Sequence, residues 1–250
     1  IKLIMAYTTI NKPNTQMNPV IYTGSASSLA VTGVNFQPDM VWLKDRDNTF
    51  NHQLYDSVRT PTADSALSPN QTSAEADYNA FTSLDSDGFT LPGNVNGVNT
   101  NGTNYVSWNF KAGGTAVSNT AGSITSSVSA NTTAGFSVVS YTGTGSGGDV
   151  GHGLNATPAM IIVKNRTSVS DWLVWFQGFT NNQGLNLNNT DAKFTSGNTF
   201  ISPVDTNTFD IGTSSLVNTN TNNYIAYCFA EKKGFSKFDS YTGNGNADGT

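Results

Sequence analysis

YTGTGSGGDVGHGLNATPAMIIVKNR, residues 141–166, has a counterpart earlier in the same chain: YTGSASSLAVTGVNFQPDMVWLKDR, residues 22–46. Each opens on a Tyr-Thr-Gly turn, passes through small residues to a proline, and closes on an apolar run ending in Lys-x-Arg. A further Tyr-Thr-Gly stands at residues 241–243. A duplication holds its offset over many positions and lets loops absorb the slippage, whereas chance similarity does not. Pro38 and Pro158, Lys44 and Lys164, Arg46 and Arg166, and Phe89 and Phe209 all lie 120 apart. Tyr22 and Tyr141, Tyr105 and Tyr224, Trp108 and Tyr227, and Phe110 and Phe229 lie 119 apart. Tyr241 follows Tyr141 by only 100, so the offset runs out near the end of the second unit.

The organisation this predicts is an N-terminal segment (1–12), a first β-sandwich repeat (13–117), a second (118–235) and the start of a third (236–250). Each complete unit is long enough to fold alone. On this reading the sequence stops inside a longer polypeptide. Residues 1–10 are too short for a three-part signal peptide, and Met5-Ala6 would suit a natural start.

Composition sets the class. Of 250 residues, 12% are charged and 36% hydrophobic, which is too polar for a membrane span; 11% are aromatic, too many for a disordered chain. Short runs of Thr, Val, Ile, Tyr, Phe and Trp are separated by Gly, Asn, Asp and Ser clusters, which is strand and turn chemistry. The predicted fold class is all-β, as tandem antiparallel sandwiches. The net charge of −5, with scattered Lys and Arg, offers no basic stripe to a phosphate backbone, so nucleic acid is not an expected partner. The single cysteine, Cys228, sits in an apolar run and reads as a buried, inert thiol.

Along the chain, residues 40–44 (MVWLK) are apolar on both faces until the lysine, as in a strand between two layers. Residues 51–59 (NHQLYDSVR) stand opposite 171–179 (DWLVWFQGF) as core strands. The connection 60–78 has room for a helical turn around Ala74-Glu75-Ala76, and its counterpart, 180–193, is asparagine-rich. Residues 84–91 and 204–211 read as turn-then-strand units centred on Phe89 and Phe209. The final strands, 104–111 and 223–230, alternate in the half-buried manner of a sandwich, with Val106, Trp108 and Phe110 on the apolar side of the first. Between the units, 113–130 reads as a linker in which Ile124 and Val128 point to an edge strand.

The features that invite chemistry are few. Asp85-Ser86-Asp87-Gly88 resembles the start of a calcium loop but lacks the later acid that closes the cage, so it reads as an Asx-rich hairpin turn. His52 and His152 are not equivalent positions and have no carboxylate or cysteine at ligand spacing, so no metal or catalytic base is assigned. No pair among the 17 acids is nominated for a glycosidase. The glycine run at 143–153 is followed by a proline and a β-run, not by the helix that a dinucleotide fingerprint needs. Trp172 and Trp175, with Tyr55 and His52 opposite them, form the candidate carbohydrate-binding set if they reach the surface; core packing is the commoner fate of such rings.

The strings PDMVWLKDR, HQLYDSVR, SLDSDGFTL, YVSWNFKAGG and GHGLNATPAMIIVKNR, with AEKKGFSKFDSYTGNGNADGT at the end, carry a resemblance. They resemble the repeated domain of uncharacterised structural proteins of tailed bacteriophages, especially marine phages and cyanophages. The likeness covers nearly the whole chain. It implies a jelly-roll or concanavalin-A-like sandwich and a place in the virion, on the particle surface or tail. The family's Asp-Ser-Val-Arg falls on residues 56–59, where a structural salt bridge between Asp56 and Arg59 is expected; the second unit has FQGF there and lacks the charges.

The resulting expectation is a non-enzymatic virion protein, in a tail fibre or related appendage, that adheres to host-surface glycan by many weak contacts. The asparagine-rich loop around residues 181–190 is the place to look for such contacts. The expected partners are other virion subunits, in a homo-oligomer that would be a trimer in a fibre, and a host glycan. Membrane insertion, cofactors and metals are not expected. The rival readings are a head-decoration or fibre-shaft domain that binds only neighbouring subunits and, more weakly, a polysaccharide depolymerase.

Overall fold

The computed structural model describes residues 8–59 and 65–247, so the Met5-Ala6 start lies outside the described residues. The first half carries β1 (Met17–Thr23), β2 (Leu29–Val31), β3 (Met40–Asp45), β4 (Gln53–Asp56), β5 (Ser83–Asp85), β6 (Gly88–Leu91) and β7 (Asn104–Phe110). The second carries β8 (Val117–Asn119), β9 (Ser126–Asn131), β10 (Phe136–Thr142), β11 (Gly148–Gly151), β12 (Met160–Asn165), β13 (Trp172–Phe176) and β14 (Gln183–Asn186). It continues with β15 (Phe194–Thr195), β16 (Ile201–Val204), β17 (Thr208–Ile211), the four-residue helix α1 (Ser215–Asn218) and β18 (Asn223–Phe229). The fold is all-β, built from antiparallel sheets.

The same strand order occurs in both halves. The large sheet of the first half runs β1-β7-β3-β4, and that of the second contains β10-β18-β12-β13, extended by β14 and β15 at one edge and by β9 and β8 at the other. The small sheets run β2-β6-β5 and β11-β17-β16.

The Tyr-Thr-Gly strings form the corner where each large sheet hands the chain to its small one. The Tyr22 hydroxyl donates to the Val98 carbonyl, and the Tyr141 hydroxyl to that of Val217, each at 2.8 Å. Their rings stack on Tyr105 and Tyr224 with centroids 5.1 and 5.2 Å apart. Directly after the glycines, the Ser25 and Thr144 N–H groups donate to Oδ1 of Asn99 and Asn218, each at 2.7 Å. Glycine is required because a Cβ on Gly24 would lie 2.2 Å from the Thr100 carbonyl, and one on Gly143 2.3 Å from that of Thr219.

Side chains alternate across a strand, so a strand apolar on both faces needs cover on both. In β3, Val41 and Leu43 pack with Phe89 and Leu91 of the small sheet. Met40 and Trp42 face the other way, into a cluster with Val138, Ile162, Ile225 and Tyr227 of the second half. On the far side of the second large sheet, Ile161, Val163, Ala226 and Cys228 pack with Phe209 and Ile211. The layers therefore run small, large, large, small, with the two large sheets face to face. Residues 40–44 are covered on both faces, and the Asp85–Gly88 string forms the two-residue hairpin between β5 and β6.

Three local expectations give way to tertiary context. Residues 74–76 are not helical: Ala76 pairs with Ala66, and the Glu75 N–H donates to the Arg166 carbonyl at 2.9 Å. The stretch 113–130 contributes two strands, β8 and β9, to the large sheet of the second half rather than a single edge. In β7 the buried side is Tyr105, Ser107 and Asn109, while Val106, Trp108 and Phe110 are half-buried. The polar pair is accommodated because Asn109 Nδ2 donates to the Asn18 carbonyl and to Ser107 Oγ, both at 2.9 Å, and the aromatic side turns toward the other sandwich. Residues 237–247 hold no strand, and Tyr241 is 94% exposed.

Candidate functional site

Charged side chains concentrate where the two large sheets meet. Asp56 ends β4, and its Oδ1 accepts the N–H groups of Val58 and Arg59 at 3.0 Å, an Asx turn that folds Arg59 back over it. Asp56 Oδ2 takes Arg59 Nε at 2.5 Å and the Tyr227 hydroxyl of the second half at 2.7 Å. Arg59 also donates to the carbonyls of Ser65, at 2.8 Å, and Leu54, at 2.9 Å, and to Glu75 Oε1 at 3.4 Å. The other Glu75 oxygen accepts from Arg166 Nε, so one carboxylate bridges an arginine from each half.

This is the structural salt bridge expected at Asp56 and Arg59, extended across the seam. Burial opposes the Arg59 charge, but Asp56, Tyr227 and Glu75 outweigh it and the guanidinium pKa rises above its ordinary value. Burial, followed by the Asp56 charge, pushes the Tyr227 phenol well above its ordinary value, so it stays a donor.

The loop 65–76 completes the seam by crossing onto β12 and β13. Trp172 Nε1 donates to the carbonyls of Ser68 and Gln71, both at 3.1 Å. Lys164, fully buried, donates from Nζ to the carbonyls of Thr72 at 3.2 Å and Ser170 at 2.8 Å. Desolvation lowers the Lys164 pKa to about 8 against a weaker pull from Asp171.

The rings expected to bind sugar are not assembled at the surface. Trp172 is 0% exposed, Trp175 8% and Tyr55 4%. Trp172 and Trp175 lie three residues apart on one strand and so face opposite sides: Trp172 enters the seam, and Trp175 the core of the second sandwich. Tyr55 stacks on Phe81 in the core of the first, with centroids 4.4 Å apart. These three rings are core residues because β4 and β13 are interior to the four layers. His52 is half-buried, and its Nδ1 accepts from Trp42 Nε1 at 2.9 Å. Burial, helped by Lys44, lowers its pKa and favours the neutral imidazole that this acceptor role needs. His152 is fully buried, with Nδ1 accepting from the Leu154 N–H at 3.2 Å and Nε2 3.3 Å from the Asp205 carbonyl. Among the described residues no cluster of three or more His, Cys, Asp or Glu is placed to hold a metal ion.

Sequence reasoning missed Glu75, Lys164 and Tyr227 as partners. The available signal for Glu75 was an acid set between two alanines, read instead as helix-forming.

The seam stays open at one end, in an apolar cleft of ≈ 450 Å³ whose walls include Met17, Phe110, Phe136, Met160, Phe229 and Phe238. The asparagine-rich loop supports β13: Asn188 Oδ1 accepts the Trp172 N–H at 2.8 Å, and its Nδ2 donates to Asp171 at 2.8 Å.

Fold and site define an all-β protein of two sandwiches joined face to face through a buried ionic seam. The chain matches the family described as Domain of unknown function (DUF7483) over residues 12–250, and it belongs to that family. The match spans both sandwiches and the seam between them. No curated protein and no solved structure matches the chain.

Proposed function

We propose that the chain is a non-enzymatic structural module of a phage particle, carried on a tail fibre or related appendage and used for multivalent adhesion to the host surface. The observation that supports this reading is the seam. Asp56, Arg59, Glu75, Arg166 and Tyr227 are engaged with one another across the two sandwiches, so the buried charge serves cohesion. Two sandwiches stacked through their large sheets, with the loop 65–76 bound between them, make a stiff block that leaves other loops at the periphery. That division suits an appendage that bears load and presents weak contacts, which copy number then multiplies. The resemblance of the sequence to phage structural proteins supplies the setting.

Immunogold labelling of intact phage particles, with antibodies raised against the double sandwich, tests the proposal. Label on appendages that point away from the particle is the expected result. Label confined to the head lattice or to a fibre shaft overturns the adhesion reading in favour of a decoration or shaft domain. Release of oligosaccharide from host polysaccharide by the purified chain overturns the non-enzymatic reading.

A further inference from the structure

A second cleft, of ≈ 560 Å³, opens on the first sandwich beside the loop 65–76. Two aromatic side chains line it that the core does not use: Phe50, 42% exposed, and Tyr78, 50% exposed. The amides of Asn51, Gln53, Asn94 and Asn96 share the lining, and no Asp, Glu, Lys, Arg or His is among the lining residues. Three of the amides are already held by their oxygens. Asn51 Oδ1 accepts from Asn70 Nδ2 at 2.9 Å, Gln53 Oε1 accepts from the Tyr55 hydroxyl, and Asn96 Oδ1 accepts from Thr100 Oγ1 at 3.3 Å. Each such bond occupies the oxygen and leaves the amide nitrogen, with its two donors, for a ligand.

The chemistry of this lining selects its ligand. Exposed rings offer flat apolar area to C–H groups, fixed amides offer donors to hydroxyl oxygens, and the missing charge gives no preference to phosphate, carboxylate or ammonium. We infer that the cleft binds an uncharged hexopyranose unit of a polysaccharide, with Phe50 and Tyr78 taking its C–H faces and the amides its hydroxyls. The inference rests on the adhesion reading for its biological meaning and names the site and the sugar class that reading would use. The second half does not repeat the site. The residue 120 positions after Phe50 is Ser170, whose N–H donates to the Thr72 carbonyl at 2.9 Å inside the seam. Among the described residues the second half holds no counterpart of this Phe50 site, so avidity comes from copies of the chain.

Saturation-transfer NMR on the whole chain tests the site, with the methyl glycosides of glucose, galactose, mannose and N-acetylglucosamine as probes. Saturation of ring protons is expected for at least one glycoside. It should weaken by about tenfold in affinity in Phe50→Ala and in Tyr78→Ala, the loss that corresponds to one stacking contact of about 1.4 kcal/mol. Tyr78→Phe keeps the ring and should keep the signal, and both positions are exposed enough for the variants to melt with the wild type. Saturation by none of the four glycosides overturns the inference. A signal that survives Phe50→Ala/Tyr78→Ala moves sugar binding elsewhere, which overturns this site and leaves the adhesion reading standing. A change in oligomeric state in that double variant, without any glycoside signal, overturns the inference in favour of a subunit contact. Gold label confined to the head lattice, by contrast, removes the adhesion reading whatever the titration shows.

Discussion

Tyr227, in the second sandwich, donates its phenolic hydrogen to Asp56 of the first over 2.7 Å, with both residues buried. The same Asp56 oxygen holds Arg59 at 2.5 Å, so one carboxylate ties a turn of its own half to a strand of the other. Removing one member of a buried ionic group leaves the others unpaired at high cost, whereas removing a neutral hydroxyl forfeits one hydrogen bond. Asp56→Ala should destabilise by about 3–5 kcal/mol, because Arg59 is then buried with its nearest carboxylate gone. Tyr227→Phe should cost only about 1–2 kcal/mol. Urea denaturation of the two variants checks this; equal losses would mean that the pair is not organised around Asp56.

Glu75 touches an arginine from each half, with Arg59 on one oxygen and Arg166 on the other. A double-mutant cycle on Glu75→Ala and Arg166→Ala should give a coupling of about 1 kcal/mol, in the range found for side chains in contact. Strict additivity of the two losses would show that the bridge contributes nothing to holding the sandwiches together.

Lys164 titrates in a window of its own. Burial lowers its pKa from 10.5 to about 8, so between those values the unfolded chain binds more protons than the folded one and stability rises with pH. The burial cost is present in full below pH 8. Cys228 acts in the opposite sense above pH 9, since burial pushes its thiol from 9.0 up to about 12. Comparing wild type with Lys164→Met at each pH cancels the cysteine. The difference in unfolding free energy should move in favour of the wild type by up to about 3 kcal/mol between pH 8 and pH 10. A difference that stays flat over that range would show that Lys164 is not desolvated.

Trp172 is 0% exposed and bonded through Nε1 to two carbonyls of the opposite half. Trp172→Ala should cost about 3–5 kcal/mol by opening a cavity in the seam. Its effect on glycoside saturation should be nil so long as the protein stays folded below its lowered melting temperature. Loss of glycoside signal at full fold would restore Trp172 as a binding residue.

Cys228 is enclosed by the core of the second sandwich and its thiol is held protonated. A thiolate reagent such as iodoacetamide should label it only as fast as the sandwich opens, and at once in denaturant. Rapid labelling of the folded protein would contradict the packing of β18.

Much of the fold was legible because strands and turns leave local marks. The Tyr-Thr-Gly corners, the apolar run at 40–44 and the Asp85–Gly88 hairpin are each marked within a few residues, although the carbonyl that demands glycine at Gly24 is that of Thr100 and the Asp87 carboxylate accepts from the Gly33 and Asn35 N–H groups. The site was less legible. Glu75 lies 16 residues from Arg59 and 91 from Arg166, and nothing local in either neighbourhood announces the contact. Phe50 and Tyr78 are far apart in the chain, and the amides between them come partly from the run that follows Phe50 and partly from a third segment, at Asn94 and Asn96.

From the sequence alone followed the all-β class, the antiparallel strands and turns and the buried cysteine, because each depends on periodicity or on residues a few positions apart, while the Asp56–Arg59 pair was implied by the resemblance to phage structural proteins. Only the tertiary structure decided which aromatic rings are buried and which stay open. Trp172, Trp175 and Tyr55 carry the same ring chemistry as Phe50 and Tyr78, and burial separates the two groups. The physical reason is that two sheets apolar on both faces must cover each other. That stacking encloses one set of rings in the seam and the cores, and leaves the other at the rim.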